Sequence, residues 1–143
     1  MKIIPFERQY RDDMIFMVLE AKNALGRIPR LNEDLLDIQA NYLDNGDMFW
    51  LALDEESRVI GCIGYNSIEG TTEVKLHRLY IKYNLKRQGI GSALLETVER
   101  HIKAQGKTAA IVHLGGKEYF ESYQFYPKHG YTEAAPRCMK KCL

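Results

Sequence analysis

Between positions 86 and 92 the chain reads Lys-Arg-Gln-Gly-Ile-Gly-Ser and then runs straight into its strongest helical pattern. That arrangement suits an anion. The first N–H groups of a helix have no intrahelical acceptor, and the aligned peptide dipoles place partial positive charge there. Gly89 and Gly91 withhold side chains that would block a bulky phosphate. Lys86 and Arg87 add positive charge, and Ser92 offers a hydroxyl. The chemistry expected is recognition of a diphosphate by Lys86, Arg87, Gln88, Gly89, Ile90, Gly91 and Ser92. The same spacing also serves a tight strand-to-helix turn with close packing. Two nucleotide loops do not fit. A Walker loop ends in Gly-Lys-Ser/Thr, whereas Ser92-Ala93 follow Gly91, and a dinucleotide fingerprint needs glycine at position 94, which is Leu.

Three groups on strands beside this loop could take a proton from a nucleophile: Glu73, His77 and His113. On a regular extended strand Glu73, His77, Leu79 and Ile81 share one face. An imidazole, with an unperturbed pKa of ~6.5, suits such a base. Each of these residues also has a purely structural reading, and so do His129 and Tyr123.

The elements that must position these groups follow from periodicity and turn residues. Ile3 to Phe6 reads as a short strand. Met14, Met17, Val18, Ala21 and Leu25 recur at helical spacing, with Asp12 and Asp13 at the favourable end and Gly26 as a stop. A second helix is expected from an Asn32 cap to Asn45-Gly46, with Leu35, Ile38 and Tyr42 on one face. Met48 to Leu53 and Val59 to Tyr65 flank Asp54-Glu55-Glu56-Ser57 as a hairpin. Thr72 to Lys82 reads as a longer strand. The helix from Gly89 to Gln105 carries Ile90, Leu94, Val98 and Ile102 on one face and the pairs Glu96/Arg100 and Glu99/Lys103 on others. Ala109 to Leu114 is a further strand, Lys117 to Gln124 a short helix, and two last strands lie around Pro136. The crossover through the long helix favours parallel neighbours within an otherwise antiparallel sheet.

The composition narrows the function. Lys and Arg number 20 against 19 Asp and Glu, a net charge of +1, which exerts no global pull on nucleic acid or an anionic membrane. The sequence has no signal-like run at its start and no stretch near the ~18 apolar residues of a membrane span. Cys62, Cys138 and Cys142 lack a second Cys/His pair at zinc spacing, so reduced thiols in a cytoplasmic protein without a metal are expected. With no repeat or linker in 143 residues, one domain over 1–143 is expected.

Two segments in register then resemble a known family. Leu79-Tyr80-Ile81 followed by Lys86 to Leu95 looks like motif A of the GNAT superfamily of N-acetyltransferases, and Phe125-Tyr126-Pro127-Lys128-His129-Gly130-Tyr131 is similar to its later F-Y-x-K-x-G-F segment. Lys86 stands where Gln or Arg is usual, and Tyr119 where an Asn often contacts pantetheine. The resemblance implies an α/β (α+β) fold: a mixed, mainly antiparallel sheet of about six to seven strands flanked by about four helices. It implies acetyl-CoA as acyl donor, held by the loop, by Leu79, Tyr80 and Ile81 along the pantetheine, and by Tyr119 and Tyr126. The thioester would sit where the fourth and fifth strands splay, with an amide near Ile81 on its carbonyl and Tyr126 as the acid that protonates the departing thiolate. A primary amine of an unidentified small molecule or peptide would attack directly in a ternary complex. Its pocket would lie near the loop Arg27-Ile28-Pro29-Arg30, whose arginines could meet a carboxylate or phosphate, or form a solvated turn. A homodimer is common in such families. The competing reading is a non-catalytic acyl-CoA-binding sensor, which needs the loop but not the phenol of Tyr126.

Overall fold

The computed structural model describes residues 1–116 and 120–143. Among these, strands β1 (Lys2–Pro5), β2 (Phe49–Leu53), β3 (Val59–Ser67), β4 (Glu73–Ile81), β5 (Ala109–His113), β6 (Thr132–Ala135) and β7 (Cys138–Cys142) form one sheet. Its order is β1-β2-β3-β4-β5-β7-β6. Every neighbouring pair is antiparallel except β4 and β5, which are joined by the crossover helix. The helices are α1 (Arg11–Ala24), α2 (Ile38–Asn41), α3 (Ile90–Ala104) and α4 (Phe120–Lys128). The fold is thus the mixed, mainly antiparallel α/β architecture expected.

Each face of the sheet has its own core. On one, Ile90, Leu94, Leu95, Val98 and Ile102 of α3 and Tyr126 of α4 pack on Trp50, Ala52, Val74, Leu76, Ala110 and Val112. On the other, Met14, Met17 and Val18 of α1 pack with Leu35, Ile38 and Tyr42 on Phe49, Leu51 and Leu53. The alternation along β2 distributes Trp50 and Ala52 to one core and Phe49, Leu51 and Leu53 to the other. Burying each such Leu, Val or Ile contributes roughly 1.5–3 kcal/mol. The pairing expected of Glu99 with Lys103 gives way to tertiary contacts. The Glu99 carboxylate accepts from Lys141 Nζ (3.0 Å) and from the Tyr131 hydroxyl (2.8 Å), tying α3 to the end of the chain.

The second helix is not continuous. It breaks into a 3-10 turn at Glu33–Leu36, the single turn of α2, and a 3-10 turn at Leu43–Asn45. Asn32 does not cap it; its amide donates to the Tyr80 hydroxyl at 3.1 Å. Asp37, at φ −141° and ψ 80°, interrupts the helix and caps α2 by accepting from Ala40 N–H at 3.0 Å. Leu35, Ile38 and Tyr42 nevertheless all reach the core.

One irregularity re-aims the site. Cys62 lies opposite Tyr80 and Gly64 opposite His77, so one residue of β3 faces two of β4. Arg78 adopts φ +59° there. This is a β-bulge, which shifts the alternation by one position. Val74 and Leu76 before it, and Leu79 and Ile81 after it, therefore all pack toward α3. His77 turns to the opposite face, where its ring meets Tyr42 with centroids 6.4 Å apart. The expectation that Glu73 and His77 share a face with Leu79 and Ile81 fails for this reason.

Candidate active site

The parallel ladder between β4 and β5 is short: Glu73, Val74 and Lys75 pair with Ala109, Ala110 and Ile111. Beyond it β5 stays with β7, as far as His113 opposite Cys138, while β4 stays with β3. The two strands fork. Lys82 N–H donates to Ile60 O on β3 at 2.9 Å. Peptide direction alternates along a strand, so Tyr80 turns its main chain to β3 and Leu79 and Ile81 turn theirs into the fork. Of the three residues expected to line this edge, Leu79 and Ile81 do so with main-chain groups. Tyr80 instead places its ring under the Lys22 ammonium, 5.7 Å from the centroid, on the α1 face.

The loop before α3 abuts this fork. Its N-cap, Gly89, sits at φ +82° and ψ 4° and supplies no side-chain cap. A Cβ at Gly89 would meet nothing within 4 Å, so the space beside this N-cap is open. Gly91 serves packing instead. A Cβ there would lie 3.3 Å from the Phe125 ring and 3.8 Å from Ile81, so its absence lets α4 and β4 close on α3. Arg87 also has positive φ (+65°), which makes the turn tight. An uncapped helix N-terminus with free space beside it fits a diphosphate.

Two side chains of the loop are engaged otherwise than expected. Lys86 Nζ lies 2.9 Å from Glu121 Oε2 on α4. Ser92 Oγ lies 2.8 Å from His129 Nε2. His129 Nδ1 lies 2.9 Å from the Phe125 carbonyl, which can only accept. A neutral His129 ring therefore carries its proton on Nδ1, and the Ser92 hydroxyl donates to Nε2. The main-chain amides of Ile90, Gly91 and Ser92, more than the side chains, are what the loop offers an anion.

Tyr126 is 5% exposed, packed edge-on to Phe125 (5.1 Å) and Tyr131 (5.4 Å). Burial pushes its phenol well above the usual tyrosine range, so it stays protonated. Glu73 stands at the closed end of the ladder, where Lys140 holds its carboxylate in an ion pair. His77 borders the fork. Burial first, then the charges of Lys75 and Arg78, lower its pKa to about 4, and the His113 charge acts on it in the same direction. His113 is exposed at the end of β5. The structure thus brings His77 and His113 near one another and leaves Glu73 apart. Tyr119 lies outside the described residues. Within the described residues no group of three or more His, Cys, Asp or Glu could hold a metal ion, and no helix is long and apolar enough to cross a membrane.

On the α1 face, beside the bulge, is a cavity of about 240 Å³ lined by Asp34, Asn41, Tyr42, Asn66, His77 and Arg78. Arg78 donates from Nε to Asp34 Oδ2 (3.1 Å) and from Nη2 to Asp34 Oδ1 (2.8 Å), and the Tyr42 hydroxyl donates to Oδ2 at 2.6 Å. Sequence reasoning missed this cluster, apart from His77. The signal available was Arg78 directly after His77, two polar residues in a row where Glu73, Val74, Lys75 and Leu76 alternate. The loop from Arg27 to Arg30 lies on the same side: Lys22 Nζ donates to Arg30 O at 2.6 Å, and the charges of Arg78 and Arg27 both act on Lys22.

The model of a family described as an acetyltransferase (GNAT) domain matches residues 45–133. Human N-acetyltransferase 8 is 33% identical over 87 residues, 57% of this chain and 38% of that protein, and the rat protein of the same name is 31% identical over 59% and 40%. The chain spans about two fifths of the length of these relatives. An IAA acetyltransferase from Azospirillum brasilense is 27% identical over 91% of this chain and 84% of its own. Among solved structures, a GNAT-family acetyltransferase from Staphylococcus aureus superposes with a TM-score of 0.91 at 23% identity, covering 99% of this chain and 98% of the other. The PaiA N-acetyltransferase of Thermoplasma acidophilum, in complex with coenzyme A, does so with a TM-score of 0.76 at 21% identity over the whole of both chains. These two likenesses concern the fold. With more than half of its residues matched by the family model, the chain belongs to the GNAT acetyltransferase family.

Proposed function

We propose that this chain is an acetyl-CoA-dependent N-acetyltransferase that acetylates a primary amine of a small molecule or peptide by direct attack in a ternary complex. The observation that carries the reading is the uncapped start of α3, with open space over Gly89, set against the fork into which Leu79 and Ile81 turn main-chain groups. Acetyl-CoA supplies an activated thioester and a thiol leaving group. The amides of Ile90, Gly91 and Ser92 hold the diphosphate, with Arg87 and Gln88 beside it. Leu79 and Ile81 align the pantetheine arm as a further strand would be aligned, and the Ile81 amide is the donor for the thioester oxygen. Tyr126, held protonated by burial, is the proton source for the departing sulfur. His77, neutral in neutral solution, borders the cavity in which the amine would lie, and solvent removes the proton that the amine loses.

A thiol-release assay across an amine panel with acetyl-CoA as donor tests the reading. Turnover with at least one amine, with coenzyme A binding seen by calorimetry, is the expected result. Coenzyme binding without turnover of any amine would favour the sensor reading. A folded protein that does not bind coenzyme A would end both.

A further inference from the structure

The cavity beside the bulge has an asymmetric charge inventory. Its lining has one acid, Asp34, and one strong base, Arg78. The acid is engaged on both oxygens: each accepts from Arg78, and one accepts also from Tyr42, so its charge is paired. The base is not fully engaged. Arg78 uses only the Nε–Nη2 side of its guanidinium on Asp34, and among the described residues no group bonds Nη1. The side chain is 33% exposed and lines the cavity, and the Nη1 side is the one that Asp34 does not take. A planar guanidinium edge matches two carboxylate oxygens in a bidentate pair. Lys22 and Arg27 add positive charge on the same side, close enough that both Arg27 and Arg78 act on the Lys22 ammonium. His77, on the rim, adds no negative charge. A polycationic amine entering here would find no free anion and several like charges.

Resting on the transferase reading above, we infer that the acceptor is an amine bearing a carboxylate, of amino-acid type, whose carboxylate docks on the outer edge of Arg78. The Asp34 pair and the Tyr42 hydroxyl fix the guanidinium in that orientation. Arg78 directly precedes Leu79, the first residue to face the fork, so a carboxylate seated on it leaves the amine directed to the thioester position along β4.

Matched acceptors that differ only in the carboxylate test this: L-phenylalanine against phenethylamine, L-tyrosine against tyramine, L-lysine against cadaverine. The acids are expected to exceed their partners in kcat/KM by about tenfold or more, the scale of a charge-assisted bidentate contact. Arg78→Asn, which suits the left-handed backbone, should bring that ratio to near one. Arg78→Lys, which keeps the charge but not the fork, should leave an intermediate ratio and serves if the Asn variant does not fold. A second readout needs no turnover: N-acetylglycine should shift the Arg78 Nε resonance in a nitrogen-proton NMR spectrum, and N-methylacetamide should not. Turnover that ignores or disfavours the carboxylate overturns the inference and leaves the transferase reading intact. Absence of turnover with every amine overturns the transferase reading. The inference then stands or falls on the titration, and no shift, or an equal shift from N-methylacetamide, sinks it.

Discussion

Lys86 of the loop before α3 and Glu121 of α4 form an ion pair, Nζ to Oε2 at 2.9 Å, with the side chains 30% and 47% exposed. On the proposed reading, a diphosphate bound at the loop would compete with Glu121 for the same ammonium. An exposed pair of this kind is worth about 0.2–1 kcal/mol. Glu121→Gln should accordingly tighten coenzyme A binding about two- to fivefold in low salt, with the gain fading as salt screens the charges. Calorimetry at two ionic strengths checks it. Equal affinity of wild type and variant in low salt would show that Lys86 does not reach the phosphates.

Gly89 separates backbone strain from anion recognition. Its φ of +82° is hard for a residue with a side chain, yet a Cβ there meets open space. Gly89→Ala and Gly89→Glu should thus carry a similar strain of about 1–2 kcal/mol in thermal or denaturant unfolding. They should differ in coenzyme affinity. The glutamate adds bulk and a negative charge at the proposed phosphate site, and should weaken binding at least about tenfold beyond the alanine variant. A folded Gly89→Glu protein with alanine-like affinity would move the phosphate site away from the start of α3.

What could be read from the sequence is what depends on neighbours along the chain. The α3 face, the glycine loop and the β2–β3 hairpin follow from local periodicity and turn residues, and the structure has them where expected. The cavity beside the bulge was opaque because contacts distant in sequence build it. Arg78 takes its left-handed conformation in partnership with Asp34, 44 residues away. A strict two-residue period cannot foresee that bulge, so it puts Glu73 and His77 on the wrong face of β4. Asp34 lies in a 3-10 turn, where a helical pattern led to the expectation of one unbroken helix.

Gly64, opposite His77 at the bulge, is needed for space. A Cβ there would lie 2.4 Å from the Phe49 ring and 3.1 Å from Tyr42. Gly64→Ala should destabilise the protein by about 1–3 kcal/mol, the usual scale of overpacking. Adding Phe49→Leu should recover part of that loss, because it removes the ring that is struck. Urea unfolding of the two single variants and the double variant measures the coupling, and additive effects would mean that the ring is not the obstacle.

Tyr126→Phe isolates a hydroxyl. The ring packs in the core, and among the described residues no partner hydrogen-bonds its oxygen, so removal should change stability by less than about 1 kcal/mol. As the proton source for the leaving sulfur, however, the phenol should matter to turnover on the general acid scale, a fall of about 100-fold in kcat with coenzyme affinity unchanged. Unaltered kcat would reduce Tyr126 to an anchor for α4 and strengthen the sensor reading.

His77 should make its mark on stability in acid. Burial and the adjacent Lys75 and Arg78 lower its pKa from 6.5 in the unfolded chain to about 4 in the fold. Between those values the unfolded state binds the extra proton and the native state does not, so stability rises with pH through that window and is complete above it. On acidification the contribution is lost progressively as pH falls from about 6.5 toward 4. His101, also lowered by burial, supplies a slope of the same sign. The Asp13 carboxylate is lowered by its bond from Arg58, and at Asp34 the cost of burial is outweighed by the bonds from Arg78 and Tyr42. Both lose their contribution below the ordinary Asp value of 3.8. His77→Gln should therefore flatten the rise of the urea midpoint between about pH 4 and pH 6.5 without abolishing it, and leave the steeper loss at lower pH in place. A slope unchanged by the substitution would mean that the imidazole is solvated in the native state and takes up its proton there as readily as in the unfolded chain.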